Sequence, residues 1–125
     1  MKLFKSFFCT ALIALFVLTS FVSSETKQSK WLVDFEEAKI EASNSEHIIL
    51  LSFQGSDWCN NCRRLEKVLF ENEDFITFSN DNLTLLKADF PMKKENALSK
   101  EQSKKNDALA EKFNPDGKFP LVVLL

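Results

Sequence analysis

Two cysteines, Cys59 and Cys62, stand three positions apart with only Asn60 and Asn61 between them. A thiol pair at this spacing can close a disulfide and reopen it, a two-electron chemistry that needs neither a metal nor an organic cofactor. If Cys59 opens a helix, the first-turn N–H groups lack intrahelical partners and the macrodipole favours negative charge there. The thiolate, which is the reactive form, is then stabilised at Cys59. Cys62 falls one turn on and on the same face. It heads an apolar stripe with Leu65 and Leu69, so it is expected to point inward while Arg63, Arg64 and Lys67 face water. An accessible Cys59 would attack a substrate disulfide, and a shielded Cys62 would resolve the mixed disulfide.

Three other uses of such a pair fit the sequence poorly. A zinc site needs about four ligands, and beyond the pair only His47 is a strong candidate. Covalent haem attachment requires His directly after the second cysteine, and Arg63 stands there. An inert structural disulfide closing so small a loop adds little stability on the chain-entropy account.

The elements that must position the pair can be read along the chain. Trp31 to Ala42 has the spacing of an amphipathic helix, with Phe35, Ala38 and Ala42 on one face, and Asn44-Ser45 breaks it. His47 to Gln54 carries Ile48-Ile49-Leu50-Leu51, apolar on both faces, as in a central strand. Gly55-Ser56-Asp57 forms a turn, and a helix follows from about Cys59 to Phe70, with a short one from Glu73 to Phe78 and a loop over Ser79–Asn82. Leu83 to Asp89 is a second strand. Met92 to Lys105, rich in lysine and glutamate, reads as solvated surface, with Ser99 to Gln102 as a capping box opening a helix that ends near Phe113. Asn114-Pro115-Asp116-Gly117 stops it, and Leu121 to Leu125 is a third strand. This order indicates an α/β fold, and a right-handed crossover makes the first two strands parallel.

Of the 125 residues, the first 24 do not belong to that domain. A basic start through Lys5, an apolar run from Phe7 to Val22 and small residues at Val22-Ser23-Ser24 form the pattern of a secretory signal peptide, residues 1–24. An apolar stretch of this length is short of the ~20 residues that span a bilayer; if it were retained, the domain would be membrane-anchored and extracytoplasmic. Cys9 leaves with the signal. Residues 25–30 are expected to be a flexible leader. Loss of Lys2 and Lys5 takes the net charge from −2 to −4, leaving no basic field for nucleic acid. An exported domain stapled by disulfides would scatter an even set across distant loops, whereas here there is one local pair.

The segment Phe53-Gln54-Gly55-Ser56-Asp57-Trp58-Cys59-Asn60-Asn61-Cys62-Arg63-Arg64-Leu65 resembles the active-site segment of the thioredoxin superfamily, in particular exported bacterial members with a Gly-Ser-Asp-Trp-Cys turn. The likeness extends to the leading helix from Trp31, to Lys87-Ala88-Asp89-Phe90-Pro91 and to Gly117-Lys118-Phe119-Pro120, and so to nearly all of residues 31–125. It implies a thioredoxin-like fold, a central mixed sheet flanked by helices. It also implies that Pro120 is a cis-proline facing the cysteines. The backbone of Phe119 would then pair with an extended substrate peptide, and Trp58 would border the substrate surface.

Three departures from the family pattern follow. The strand before the motif carries Phe53 where many thioredoxins have a buried acid that handles the resolving thiol's proton, with Lys87 or Asp89 as the substitutes on offer. The intervening pair is Asn60-Asn61 and not Gly-Pro or Pro-His, so the potential of neither group carries over, and Asp57 would oppose thiolate formation while Arg63 at i+4 would assist it. The family fold runs on with a further strand and a final helix, so the chain is expected to be a fragment lacking both. The resulting expectation is a periplasmic or secreted thiol–disulfide oxidoreductase. Cys59 and Cys62 are its catalytic residues and redox-active disulfide, with Trp58, Phe119 and Pro120 at its substrate surface. Cysteine-containing proteins are its expected substrates; reduction, oxidation and isomerisation all stay open, and a reductant would need a donor such as a membrane thiol protein. The alternative is a peptide-binding or chaperone module on the same fold, without redox turnover.

Overall fold

The structure, a computed structural model, describes residues 28–125. The signal peptide read over residues 1–24, Cys9 and the first part of the 25–30 leader lie outside the described residues. Four strands form one mixed sheet in the order β1-β3-β2-β4: β1 is Trp31–Leu32, β2 Ile48–Gln54, β3 Leu83–Asp89 and β4 Leu121–Leu124. β2 pairs in parallel with β3 along its whole length, from Ile48 opposite Leu83 to Gln54 opposite Asp89. On its other edge β2 meets β4 antiparallel, Leu50 opposite Leu124 and Phe53 opposite Leu121. The expected α/β class, mixed sheet and central position of β2 are all present.

Helices cover both faces. α1 (Phe35–Ser45) and α4 (Lys100–Phe113) lie over Ile49, Leu51, Phe53, Leu86 and Ala88, contributing Ala38, Ala42 and Leu109 to that core. On the opposite face α2 (Asn60–Leu65), a π-helical turn over Glu66–Phe70 and α3 (Glu73–Asn82) enclose Leu50, Leu85 and Phe70. Strand alternation therefore sends Leu51 and Phe53 one way and Leu50, Ser52 and Gln54 the other.

The sequence reading needs correction at four places. Trp31 and Leu32 do not start the first helix; they pair in parallel with Leu85 and Leu86 as β1. Asp34 stops the helix from reaching back, because its carboxylate caps the Glu37 N–H at 3.0 Å and is itself held by Lys105 at 2.7 Å. The same helix runs through Asn44-Ser45 and closes on Glu46, which adopts the left-handed conformation at φ 56°. Ser79–Asn82 is not a loop but the last turn of α3, with Ser79 donating back to the Ile76 carbonyl.

The fourth correction bears on the cysteines. The helix that follows them widens into a π turn at Glu66–Phe70, closed by the Glu71 N–H on the Glu66 carbonyl. One extra residue in that turn shifts the phase of the face behind it, so Phe70 is 3 % exposed while Leu69, expected inside, is 40 % exposed. Arg63, Arg64 and Lys67 face water as expected.

Phe53 is fully buried among the apolar groups under α1 and α4, stacked on Phe90 with centroids 6.5 Å apart. Phe53→Ala should lower the unfolding free energy by about 3–5 kcal/mol, read as the urea midpoint. Phe53→Asp should cost more, because its carboxylate would lack a partner there; a smaller loss for Asp than for Ala would refute this placement.

Candidate active site

β2 delivers the chain to Gln54, and Gly55 then allows a tight reversal. The Cys59 N–H donates to the Gly55 carbonyl at 2.8 Å, and the Trp58 N–H to the same carbonyl at 3.3 Å. Cys59 has extended backbone angles (φ −90°, ψ 101°) and is the N-cap of α2; its Sγ accepts the Cys62 N–H at 3.1 Å. The sulfur thus occupies the position a capping oxygen would take, facing an otherwise unpartnered first-turn donor. Cys59 and Cys62 are joined as a disulfide with Cα atoms 5.2 Å apart. The remaining donors of the first turn and the short helical dipole favour negative charge on Cys59 when the bond is open.

Exposure departs from expectation. Cys62 is 1 % exposed, but Cys59 is only 6 % exposed, so neither thiol is open in this state. The cause is the bond itself together with the turn: Cys59 Sγ is tied to a buried sulfur, and its N–H is folded back on Gly55. The order of access is retained, with Cys59 the outer of the two.

Around the pair stands an aromatic group. Trp58 packs edge-on against Phe119 with centroids 5.3 Å apart, and Phe119 packs likewise on Phe90 at 5.5 Å. The Trp58 indole N–H donates to the Phe90 carbonyl at 2.7 Å. The Phe119–Pro120 peptide is cis. It is delivered by the Asn114 side chain, which accepts from the Lys118 N–H at 2.8 Å and donates to the Lys118 carbonyl at 2.9 Å. Gly117, at φ 62°, takes the left-handed conformation that this closed turn requires. Phe119, sixty-one residues on in the chain and joined to Pro120 by the cis bond, is therefore packed against Trp58, the residue before Cys59.

Charged residues named from the sequence fall differently. Asp89 is turned toward the cysteine turn, where its two oxygens accept the Ser56 N–H at 2.9 Å and the Ser56 hydroxyl at 2.6 Å. Lys87 lies 3.4 Å from Glu66 and over the Trp31 ring, while the buried Gln54 side chain donates to Glu66 at 3.3 Å and to Ser52 Oγ at 3.0 Å. Glu66 is one turn beyond Cys62, so the polar groups on the cysteine side of the sheet are Ser52, Gln54, Glu66 and Lys87. Sequence reasoning passed over Glu66; its i+4 spacing from Cys62 was the available signal. The Arg63 guanidinium donates to Asn60. His47 precedes β2 while the cysteines follow it, so a seven-residue strand, roughly 20 Å, separates them. That distance removes the one further zinc ligand the sequence offered.

Asp57, expected to oppose the thiolate, spends its charge elsewhere. It accepts the Met92 N–H and the Lys93 N–H, each at 2.9 Å, and the Asn96 amide at 3.0 Å. These donors, Met92 first, hold its carboxyl below the ordinary carboxylate value. The folded-state value is lowered, so this stabilising contact is present above the unfolded-state value and is lost as pH falls through the lower folded one.

Comparison with known proteins follows the same lines. A family model described as thioredoxin-like matches residues 30–125. A curated relative, the disulfide bond reductase DsbH of Chlamydia pneumoniae, is 33 % identical over 87 residues, covering 69 % of this chain and 51 % of the relative. A solved structure of a DsbH oxidoreductase superposes with a TM-score of 0.71 at 28 % identity, over 78 % of this chain and 65 % of that one. The chain thus spans about half the length of the curated relative it matches.

A Cβ added at Gly55 would run into the Trp58 indole ring. Gly55→Ala should therefore displace Trp58 from the Phe90 carbonyl. In a Trp31→Phe background the remaining tryptophan emission should shift to the red, with a loss of about 1–3 kcal/mol of stability. Unchanged emission would show that the ring is not held where the structure has it.

Proposed function

The chain belongs to the thioredoxin-like family, and from that premise we propose that it is an exported thiol–disulfide oxidoreductase working in the reducing direction on cysteine-containing proteins. The observation that carries the reading is Cys59 at the helix cap, its sulfur accepting the Cys62 N–H and bonded to the more buried Cys62. The printed name of the relative, a disulfide bond reductase, favours the direction.

In the reduced protein the Cys59 thiolate attacks one sulfur of a substrate disulfide. The substrate S–S bond breaks, a substrate thiolate leaves, and a mixed disulfide forms. Cys62 then gives up its proton and attacks Cys59 Sγ, releasing the second substrate thiolate and closing the Cys59–Cys62 disulfide. Two electrons pass to the substrate, and a dithiol donor, in this reading a membrane thiol protein, must return them. Phe119 and Pro120 present a backbone edge to which an extended substrate segment can pair, with Trp58 beside it. Glu66, one turn beyond Cys62 and held by Lys87 and Gln54, is the acid this reading assigns to the Cys62 proton in the absence of an acid at Phe53.

A second reading, a peptide-binding module whose disulfide does not turn over, is favoured by the low exposure of Cys59. Insulin reduction separates the two. Wild type should be active and Cys59→Ser inactive, and Cys62→Ala should trap mixed disulfides through Cys59. Equal activity in wild type and Cys59→Ser, or trapping only by the Cys59 variant, would overturn the assignment. A reduction potential nearer that of thioredoxin, about −270 mV, than that of DsbA, about −120 mV, is expected for a reductase.

Export rests on residues 1–24 of the sequence. The protein recovered from the periplasm should begin at Glu25 by mass; a full-length mass would mean a retained anchor.

A further inference from the structure

The cysteine turn and the segment after β3 are fastened by two carboxylates reaching in opposite directions. Asp89 reaches from the end of β3 to Ser56, and Asp57 reaches from the turn to Met92, Lys93 and Asn96. Between Phe90 and Ser99 the chain forms only one short 3₁₀ turn, Lys94–Asn96, and no strand. Its course beside the cysteines therefore depends on these side-chain ties. The Asp57 carboxylate is turned away from Cys59 onto three donors of that segment, the Met92 and Lys93 N–H groups and the Asn96 amide. Three donors on one carboxylate fix the backbone at 92 and 93 more firmly than a turn contact alone would.

What Asp57 holds in place is the backbone of Met92, 76 % exposed, two residues beyond the Phe90 carbonyl that holds the indole of Trp58, 41 % exposed. These are two large apolar side chains beside a redox pair, in a stretch whose neighbours Lys93, Lys94 and Glu95 are charged and exposed. Apolar surface kept at such a rim suits contact with another chain, and a flexible, polarisable methionine suits varied partners. Resting on the function proposed above, we propose that Asp57 is a positioning residue that acts through Met92. Its carboxylate fixes the 92–96 segment so that Met92 and Trp58 together receive an apolar residue flanking the cysteine of a polypeptide substrate. A small disulfide has nothing to place there.

The test compares second-order rate constants of the reduced protein with insulin and with hydroxyethyl disulfide, taking dithiothreitol as the reference dithiol. Wild type should prefer insulin more than dithiothreitol does. Asp57→Ala and Met92→Ser should each lower the insulin-to-small-disulfide ratio by about fivefold to tenfold, the scale of truncating a side chain that contributes appreciably to binding, while Met92→Leu should restore it. Hydrogen exchange at the Met92 and Lys93 amides should speed up in Asp57→Ala but not in Met92→Ser. A wild-type ratio no higher than that of dithiothreitol overturns this inference and the protein-reductase reading together. A higher ratio that neither variant moves overturns the inference alone, and so does a ratio that falls only in Asp57→Ala, because Asp57 would then act on Cys59 directly.

Discussion

The site depends on the parallel pairing of β2 with β3, seven residues in unbroken register, which brings Gln54 and Asp89 to the sheet end side by side. The link continues one step beyond the strands, with the Phe90 N–H donating to the Gln54 carbonyl at 2.9 Å. From there the two chains leave together, one into the cysteine turn and the other into the segment that flanks it. A one-residue slip would reverse every side chain of β2, exchanging Leu51 and Phe53 with Ser52 and Gln54. The burial of Leu51, Phe53 and Leu86 on one face and of Leu50 and Leu85 on the other forbids that slip.

With the strand ends fixed, each remaining part of the site has a local cause. Gly55 leaves the space that the Trp58 ring fills. The reversal at Gly55 makes Cys59 a cap and not an interior helical residue, so its sulfur meets a backbone donor. The antiparallel pairing of β4 with β2 sets Phe119 and Pro120, just before β4, against the same end of the sheet. The chemistry is thus concentrated where one strand ends, one begins and a helix starts, and no pocket is required.

The polar groups sort into two sets by the faces of β2. Phe53 points into the apolar core under α1 and α4, while Ser52 and Gln54 point toward the helix that carries Cys62, where Gln54 meets Glu66 and Glu66 meets Lys87. An acid at position 53 would point into the apolar core under α1 and α4, whereas the polar side chains of β2 that face the helix of Cys62 are Ser52 and Gln54. The carboxylates of Asp57 and Asp89 tie the cysteine turn to the end of β3 and the segment after it.

The sequence by itself determined the cysteine pair, the strands on either side of the first crossover, the Ser99 cap at the start of α4 and the turn before Phe119-Pro120. Each is written in local chemistry: apolar runs flanked by turn residues, a capping hydroxyl, an Asn-Pro-Asp-Gly stop. Tertiary structure alone decided that Trp31-Leu32 is a strand, since two residues have no period of their own and acquire one only by pairing with Leu85 and Leu86. It decided that Phe70 and not Leu69 is buried, because a π turn changes the phase without changing the composition. It also decided what Asp57, Asp89 and Glu66 do. A carboxylate is the same in any sequence, and its role is set by which donors the fold brings within about 3 Å of it.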